Sequence, residues 1–295
     1  MQHVLGIDDL ADADIDGVFA LANRHRTAGR RPRIEGAGRV VGLIFLESSL
    51  RTRVGFAAAA GRLGWTAVDV AERRSSAPGI AERWQDTARV VAGYCDVAVI
   101  RAPVPLTGPD LASLPVPVVN AGDRGQWSEH PTQGLIDYFA MECILGQVGG
   151  LHVAVCGDLG MRAARSLLAL LGRRPPRLLS LLHPTSLHRP SLPAALRDRV
   201  RFGNDLRSLA DEPPDVVHVM GIPHASVPER ERAQLRLDAR VLALLPTTLV
   251  FSPMPVIDEI ASPVREDPQV VMMAQSDLGL FVRMAVLELA WSRAR

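Results

Sequence analysis

Short apolar runs recur along this chain, each followed by a turn signal and a segment of helical length. The runs fall at Val40–Leu46, Ala67–Ala71, Val97–Arg101, Val116–Asn120, Leu151–Gly157, Arg177–Leu182, Val200–Gly203, Val216–Met220, Leu249–Ser252 and Val270–Ala274. They are largely unbroken instead of alternating in polarity, which suits strands covered on both faces, the environment of a parallel sheet. Helix-length segments lie between them, among them Val54–Gly64, Ala81–Tyr94, Gln133–Gly146, Met161–Leu171 and Leu278–Arg293. This alternation predicts an α/β fold with helices on both sheet faces. At 295 residues the chain has room for two such domains. The glycine-rich break at Gln147–Gly150, after a long helical pattern, marks the expected boundary. The sequence is therefore read as two doubly wound parallel-sheet domains, residues 1–146 and 147–275, with a C-terminal helix over 276–295.

Charge narrows the function. The chain carries 33 basic and 32 acidic residues, a net +1, without the basic surplus that nucleic-acid or anionic-membrane binding normally shows. No apolar run approaches 18 residues and Met1–Leu10 has no signal-peptide pattern, so a cytoplasmic protein without a membrane role is expected. Cys95, Cys143 and Cys156 each sit in an apolar run without metal-type spacing and read as buried thiols of a reducing compartment. Every basic residue is arginine. Any mechanism that requires a lysine ammonium is thereby excluded.

Four segments carry candidate chemistry. In "LESSLRTRVGFAAAAGRLGW", Ser49, Arg51 and Thr52 stand at the mouth of a small-residue helix. A helix N-terminus already offers unpaired N–H groups and a positive dipole end, so these side chains read as a seat for a dianion such as phosphate. In "AVIRAPV", Arg101 ends a strand, where open α/β sheets place ligand contacts. In "EHPTQGLIDYF", His130, Thr132 and Gln133 open a helix behind the loop "NAGDRGQWS". In "VFSPMPVIDEI", a strand enters a Pro-x-Pro turn around Met254. Read singly, Arg101 is also compatible with a surface ion pair, and His130 with Gln133 is compatible with a helix cap.

Taken in order, these segments resemble the aspartate/ornithine carbamoyltransferase family, and its aspartate branch most closely. "SSLRTR" stands where the family has Ser-Thr-Arg-Thr-Arg, "HPTQGLID" matches its His-Pro-x-Gln segment, and "VVNAGD", "HVAVCGDL", "PMPVIDEI" and "AQSDLGLFVRMAVLEL" follow in family order. The resemblance implies a first domain that binds carbamoyl phosphate, a second that binds an amino acid, and a C-terminal helix returning to the first. It also implies a homotrimer with active sites shared across subunit interfaces, and no cofactor or metal. By carry-over, Ser49, Arg51 and Thr52 hold the phosphate, Arg101 bridges phosphate and carbonyl oxygen, and His130 donates to that oxygen. Gln133 and the backbone carbonyl of Met254 receive the carbamoyl NH₂.

The departures from the family pattern fall on the amino-acid side. Leu50 replaces a threonine of the anion loop but keeps its backbone N–H. In "ERRSSAPGIAERWQDT", Ser75 or Ser76 matches the serine that the aspartate branch delivers to the neighbouring subunit, but Ile80 stands at its lysine. Gly221 and Pro223 occupy the family's Arg-x-Gln pair, and Val256 replaces the arginine of its Pro-Leu-Pro-Arg turn. Arg162 or Arg165 remains as a partner for an α-carboxylate. The expected activity is carbamoyl transfer to an amino-acid-like amine with altered or weak use of aspartate. The alternative is a catalytically inactive paralogue serving as a structural or regulatory partner. A dinucleotide site at Gly157 and Gly160 lacks the G-x-G-x-x-G spacing. His183, His188, His218 and His224 form no cluster at metal-ligand spacing.

Overall fold

The computed structural model describes residues 3–29, 38–70 and 83–293. In chain order the elements are α1 (Asp12–Ala28), β1 (Val40–Phe45), α2 (Leu50–Arg62), β2 (Thr66–Val70), α3 (Trp84–Ala92), β3 (Val97–Arg101), α4 (Gly108–Leu111) and β4 (Val118–Asn120). They continue with α5 (Pro131–Leu145), β5 (His152–Cys156), α6 (Arg162–Arg173), β6 (Leu178–Leu182), β7 (Val200–Gly203), β8 (Val216–Val219), α7 (Glu229–Gln234), α8 (Ala239–Leu244), β9 (Leu249–Phe251) and α9 (Met272–Ser292). The chain divides into two compact units, Met1–Thr132 with Leu278–Arg295, and Gln133–Asp277. The division falls at the start of α5, whereas the sequence reading ended its first domain after that helix.

Each unit is built on a parallel sheet. The first has strand order β2-β1-β3-β4, and the second β7-β6-β5-β8-β9. The strand order reverses between β1 and β3, and again between β5 and β8. At such switch points the helices leave on opposite faces and open a crevice at the carboxyl ends of the strands. Register lines up those ends: Phe45 lies opposite Arg101, and Ile100 opposite Asn120. In the second unit, Cys156 lies opposite Leu182 and Val219.

Nine of the ten expected strands form. β3, β5 and β8 are buried at every position, as unbroken apolar runs require. β2 and β7 stand at sheet edges and keep exposed positions, so for them covering on both faces does not hold. The tenth run, Val270–Ala274, is not a strand. Val270 makes one parallel bridge to Val250, and α9 begins at Met272. A short apolar run reads alike as a buried strand or as the first turn of a buried helix.

The first unit gathers its helices by small-residue packing and a few buried polar ties. In α2, Phe56, Ala59 and Ala60 face inward. A Cβ on Gly55 would lie 2.8 Å from the Arg283 guanidinium carbon, so the α9 guanidinium lies directly over this position of α2. The same guanidinium sits 5.8 Å from the Phe56 ring. One turn further, buried His25 of α1 meets Glu288 at 2.7 Å. Among the described residues, no helix is long and apolar enough to cross a membrane.

The cysteines differ in environment. Burial pushes the Cys156 thiol up to about 12, and the charge of Glu259 adds to it. Cys95 and Cys143 are only half-buried, so the expectation of three buried thiols holds for Cys156 alone.

Gly157, just past β5, has φ +117, and a Cβ there would lie 2.4 Å from the Met220 carbonyl oxygen. Both the backbone region and the space demand glycine. Gly157→Ala is expected to cost about 1–3 kcal/mol of stability. In urea unfolding this reads as a lower midpoint at unchanged slope.

Candidate active site

The anion loop and its helix lie at the carboxyl edge of the first sheet. Four residues separate the end of β1 from the start of α2, and Ser49 occupies the N-cap with an extended φ of −159. The Ser49 side chain makes no cap hydrogen bond, so it does not satisfy the first-turn N–H groups of α2. Arg51 is exposed and has no partner among the described residues, while Leu50 points to solvent at 75% exposure. Leu50 thus contributes only its backbone here. Arg53, the second arginine of the motif, is drawn away: its Nε donates to Asp69 of β2 at 2.6 Å.

Thr52 is buried, and its hydroxyl lies 3.4 Å from Nε2 of buried His130. The other ring nitrogen, Nδ1, lies 3.2 Å from the Thr132 hydroxyl. His130 immediately precedes α5, so the N-termini of two helices meet at this imidazole. Arg101, the last residue of buried β3, is itself only 8% exposed. Its Nη1 donates to the Ala121 carbonyl at 3.1 Å, which aims the guanidinium along the carboxyl edge toward β4. Leu46 N–H donates to the Arg101 carbonyl at 2.9 Å, fixing the start of the anion loop to the same strand end.

Two residues that the sequence reading gave no role hold the loop before His130. Asn120 Nδ2 donates to the Leu5 carbonyl at 2.8 Å, and its Oδ1 accepts from Gly122 N–H at 2.8 Å. Buried Asp123 accepts from Leu106 N–H at 2.9 Å and from Glu129 N–H at 2.8 Å. Polar residues buried inside "VVNAGD" were the available signal, because a buried Asn and Asp must find donors and acceptors locally.

In the second unit, α6 follows β5 through a turn held by Asp158, whose Oδ1 accepts from Gly160 N–H at 2.8 Å. Arg162 and Arg165 lie on the first turn of α6, both half-buried. Gly221 follows β8, and a Cβ there would lie 3.6 Å from Glu259 Oε1. Glu259 is buried and accepts from Ile222 N–H at 3.0 Å and Ile257 N–H at 2.7 Å. Val256 and Met254 pack against the core of this unit, so the turn after β9 is floored by aliphatic groups. Met254 has φ 54, alone among the described non-glycine residues in being positive, and its N–H donates to Ser252 Oγ at 3.2 Å. Gln133 Nε2 donates to buried Asp137 Oδ1 at 2.7 Å. Ser75, Ser76 and Ile80 lie outside the described residues.

The histidines outside the site have structural partners. His183 lies 3.3 Å from Leu159 N and 3.0 Å from the His188 carbonyl, bracing the β5–α6 turn. His224, Asp258 and Glu259 bring one ligand atom each within 4.8 Å. Arg236 reaches Asp258 at 2.6 Å and Arg232 reaches it at 3.4 Å, so a cation there would face two guanidinium groups.

The comparisons agree with this architecture. Residues 2–143 match the family described as aspartate/ornithine carbamoyltransferase, carbamoyl-P binding domain. The aspartate carbamoyltransferase catalytic subunit of Thermofilum pendens is 34% identical over 98% of this chain and 94% of its own length. That of Haloquadratum walsbyi is 33% identical over 100% and 99%. Among solved structures, Trypanosoma cruzi aspartate transcarbamoylase in complex with carbamoyl phosphate superposes with a TM-score of 0.87 at 29% identity, covering 99% of this chain and 95% of that one. The M. Jannaschii catalytic subunit gives 0.85 at 28% identity, covering 98% and 97%. With sheet order, motif order and full-length similarity in accord, the chain belongs to the aspartate/ornithine carbamoyltransferase family.

Proposed function

We propose that this chain transfers the carbamoyl group of carbamoyl phosphate to the amine of an amino-acid-like acceptor other than aspartate. The observation that carries the reading is the meeting of Thr52 and His130 at 3.4 Å, with Arg101 buried at the carboxyl end of β3 in the same unit. Three donors from separate stretches of chain serve one small, doubly charged ligand there.

The phosphate rests on the uncapped N–H groups of α2, with Ser49, Thr52 and the exposed guanidinium of Arg51 around it. Arg101 lies between phosphate and carbonyl oxygen. A Thr132 hydroxyl that donates to Nδ1 would leave the His130 proton on Nε2, where it can donate to the carbonyl oxygen. Attack by a neutral amine builds negative charge on that oxygen as the C–N bond forms. The tetrahedral species then expels phosphate as its C–O bond breaks, and the departing phosphate takes the proton from the amine nitrogen. Donors fixed before the reaction stabilise the developing oxyanion without reorganising, which is where such sites gain most of their rate. Gln133 and the Met254 carbonyl take the carbamoyl NH₂. Holding both reactants in line contributes up to about 7–11 kcal/mol more.

The acceptor side supports a change of substrate. Gly221, Pro223 and Val256 offer no cation to a side-chain carboxylate, Glu259 lies beneath Gly221, and Arg162 or Arg165 remains for an α-carboxylate. The same losses are what an inactive paralogue would show. Acceptor-dependent release of phosphate from carbamoyl phosphate, measured over a panel of amino acids and amines, separates the two. Turnover with a neutral or monoanionic acceptor supports the transferase, and no turnover with any acceptor supports the paralogue. The assembly proposed, by family resemblance, is a cytoplasmic homotrimer.

A further inference from the structure

A buried carboxylate outside the residues given a role above organises the carbamoyl-NH₂ end of the site. Asp137 is fully buried on α5, one turn after Gln133, and its Oδ1 accepts two amide hydrogens. One comes from Gln133 Nε2 at 2.7 Å and the other from Gln275 Nε2 at 2.6 Å, from the first turn of α9. Gln275 is itself buried, and its Oε1 accepts from Ser252 N–H at 2.9 Å. Ser252 in turn holds Met254 N–H through its hydroxyl. Buried His218 closes the other side, with Nε2 3.4 Å from Asp137 Oδ2 and its ring stacked on Phe251.

We infer that Asp137 and Gln275 are positioning residues that make the chain select an NH₂ group on its phosphorylated substrate. This inference rests on the carbamoyl phosphate reading above. A glutamine side chain can present either its oxygen or its NH₂ to a ligand, and nothing in its shape decides which. Asp137 Oδ1 accepts from both glutamine side chains, so it turns both NH₂ groups inward. That leaves Gln133 Oε1, which has no partner among the described residues, as the acceptor that Gln133 can offer a ligand. An outward oxygen matches the donors of a carbamoyl NH₂, while an outward NH₂ would oppose them. Through Gln275, the same carboxylate also pins the end of β9, from which the chain turns into the positive φ of Met254. One carboxylate therefore sets both groups assigned to the carbamoyl nitrogen. The packing is local to α5, β8, β9 and the start of α9, inside one compact unit.

Two stable phosphonates test this by titration calorimetry on the full chain: phosphonoacetamide, and acetonylphosphonate, in which a methyl group replaces the NH₂. The wild-type chain is expected to prefer the amide by about tenfold or more, the worth of one well-made hydrogen bond. Asp137→Asn keeps the volume but lets residue 137 donate, so Gln133 can turn over. Its preference is expected to fall about tenfold, toward parity, with acetonylphosphonate binding unchanged. Gln275→Met is expected to shift the preference the same way, and decides the matter if Asp137→Asn does not fold. A wild-type preference that the folded variants retain in full overturns the inference, as does an equal loss of both ligands, the mark of a merely structural role. A wild-type chain that binds both ligands equally overturns the assignment of Gln133 and the inference together.

Discussion

Arg101→Ala is expected to lower kcat/KM for carbamoyl transfer by about 10²–10³, the usual effect of removing one donor to a developing oxyanion. The size follows from where the side chain sits. β3 is buried along its length and delivers the guanidinium to the carboxyl edge of the sheet, where water is scarce and each donor counts for more. One arm is already committed to the Ala121 carbonyl at 3.1 Å, so the group is held in place before substrate arrives. Truncation also removes that hydrogen bond and costs about 1–3 kcal/mol of stability, which a thermal melt reads separately. Arg101→Lys is expected to recover little, because an ammonium cannot hold the carbonyl and span phosphate and oxyanion at once. If kcat/KM for Arg101→Ala stays within about fivefold of the wild-type value, Arg101 is a structural ion and not part of the chemistry.

The second large effect concerns the acceptor. Aspartate is expected to be carbamoylated with kcat/KM about 10²–10⁴ below that of the best acceptor in the panel. At the proposed acceptor site Gly221, Pro223 and Val256 would offer its side-chain carboxylate no charged donor, and Glu259 lies near Gly221. Each charged hydrogen bond lost is worth about 1.5–3 kcal/mol, and two are missing by comparison with the family pattern. Since about 1.4 kcal/mol is tenfold, the losses compound into that range. Glu259 is not free to rotate away, because both its oxygens hold backbone N–H groups. Steady-state kinetics with aspartate at fixed carbamoyl phosphate gives the number directly, and aspartate ranking as the best acceptor would refute the reading of this pocket.

Much of this was legible in the chain itself because burial writes a plain signature. β3, β5 and β8 are buried at every position and mostly apolar, and their runs locate them nearly to the residue. The loop before α2 stood out for a different reason: Ser49, Arg51 and Thr52 cluster at the mouth of a small-residue helix. The start of α9 was not legible, since Val270–Met273 is as apolar as a strand and only its bridge to β9 and the turn at Asp267 settle its form. Helix α1 escaped because its buried residues Ile15, Val18, Phe19, Ala22 and His25 are spread among charges, and no single run marks it. Least visible was the Asp137–Gln275 tie, made between residues 138 positions apart. In sequence, an aspartate one turn after a glutamine looks like any helix surface pair, and burial alone sets it apart.

Calorimetric titration of the wild-type chain and of Arg51→Ala with carbamoyl phosphate tests the central claim most directly. Arg51 is exposed and makes no hydrogen bond or ion pair among the described residues, so its loss should leave the fold intact and report on the ligand alone. The wild-type chain is expected to bind in the micromolar range, about −8 kcal/mol, and Arg51→Ala to bind at least about a hundredfold more weakly. A wild-type chain that shows no saturable binding, or an Arg51→Ala variant that binds as tightly as wild type, would contradict the account.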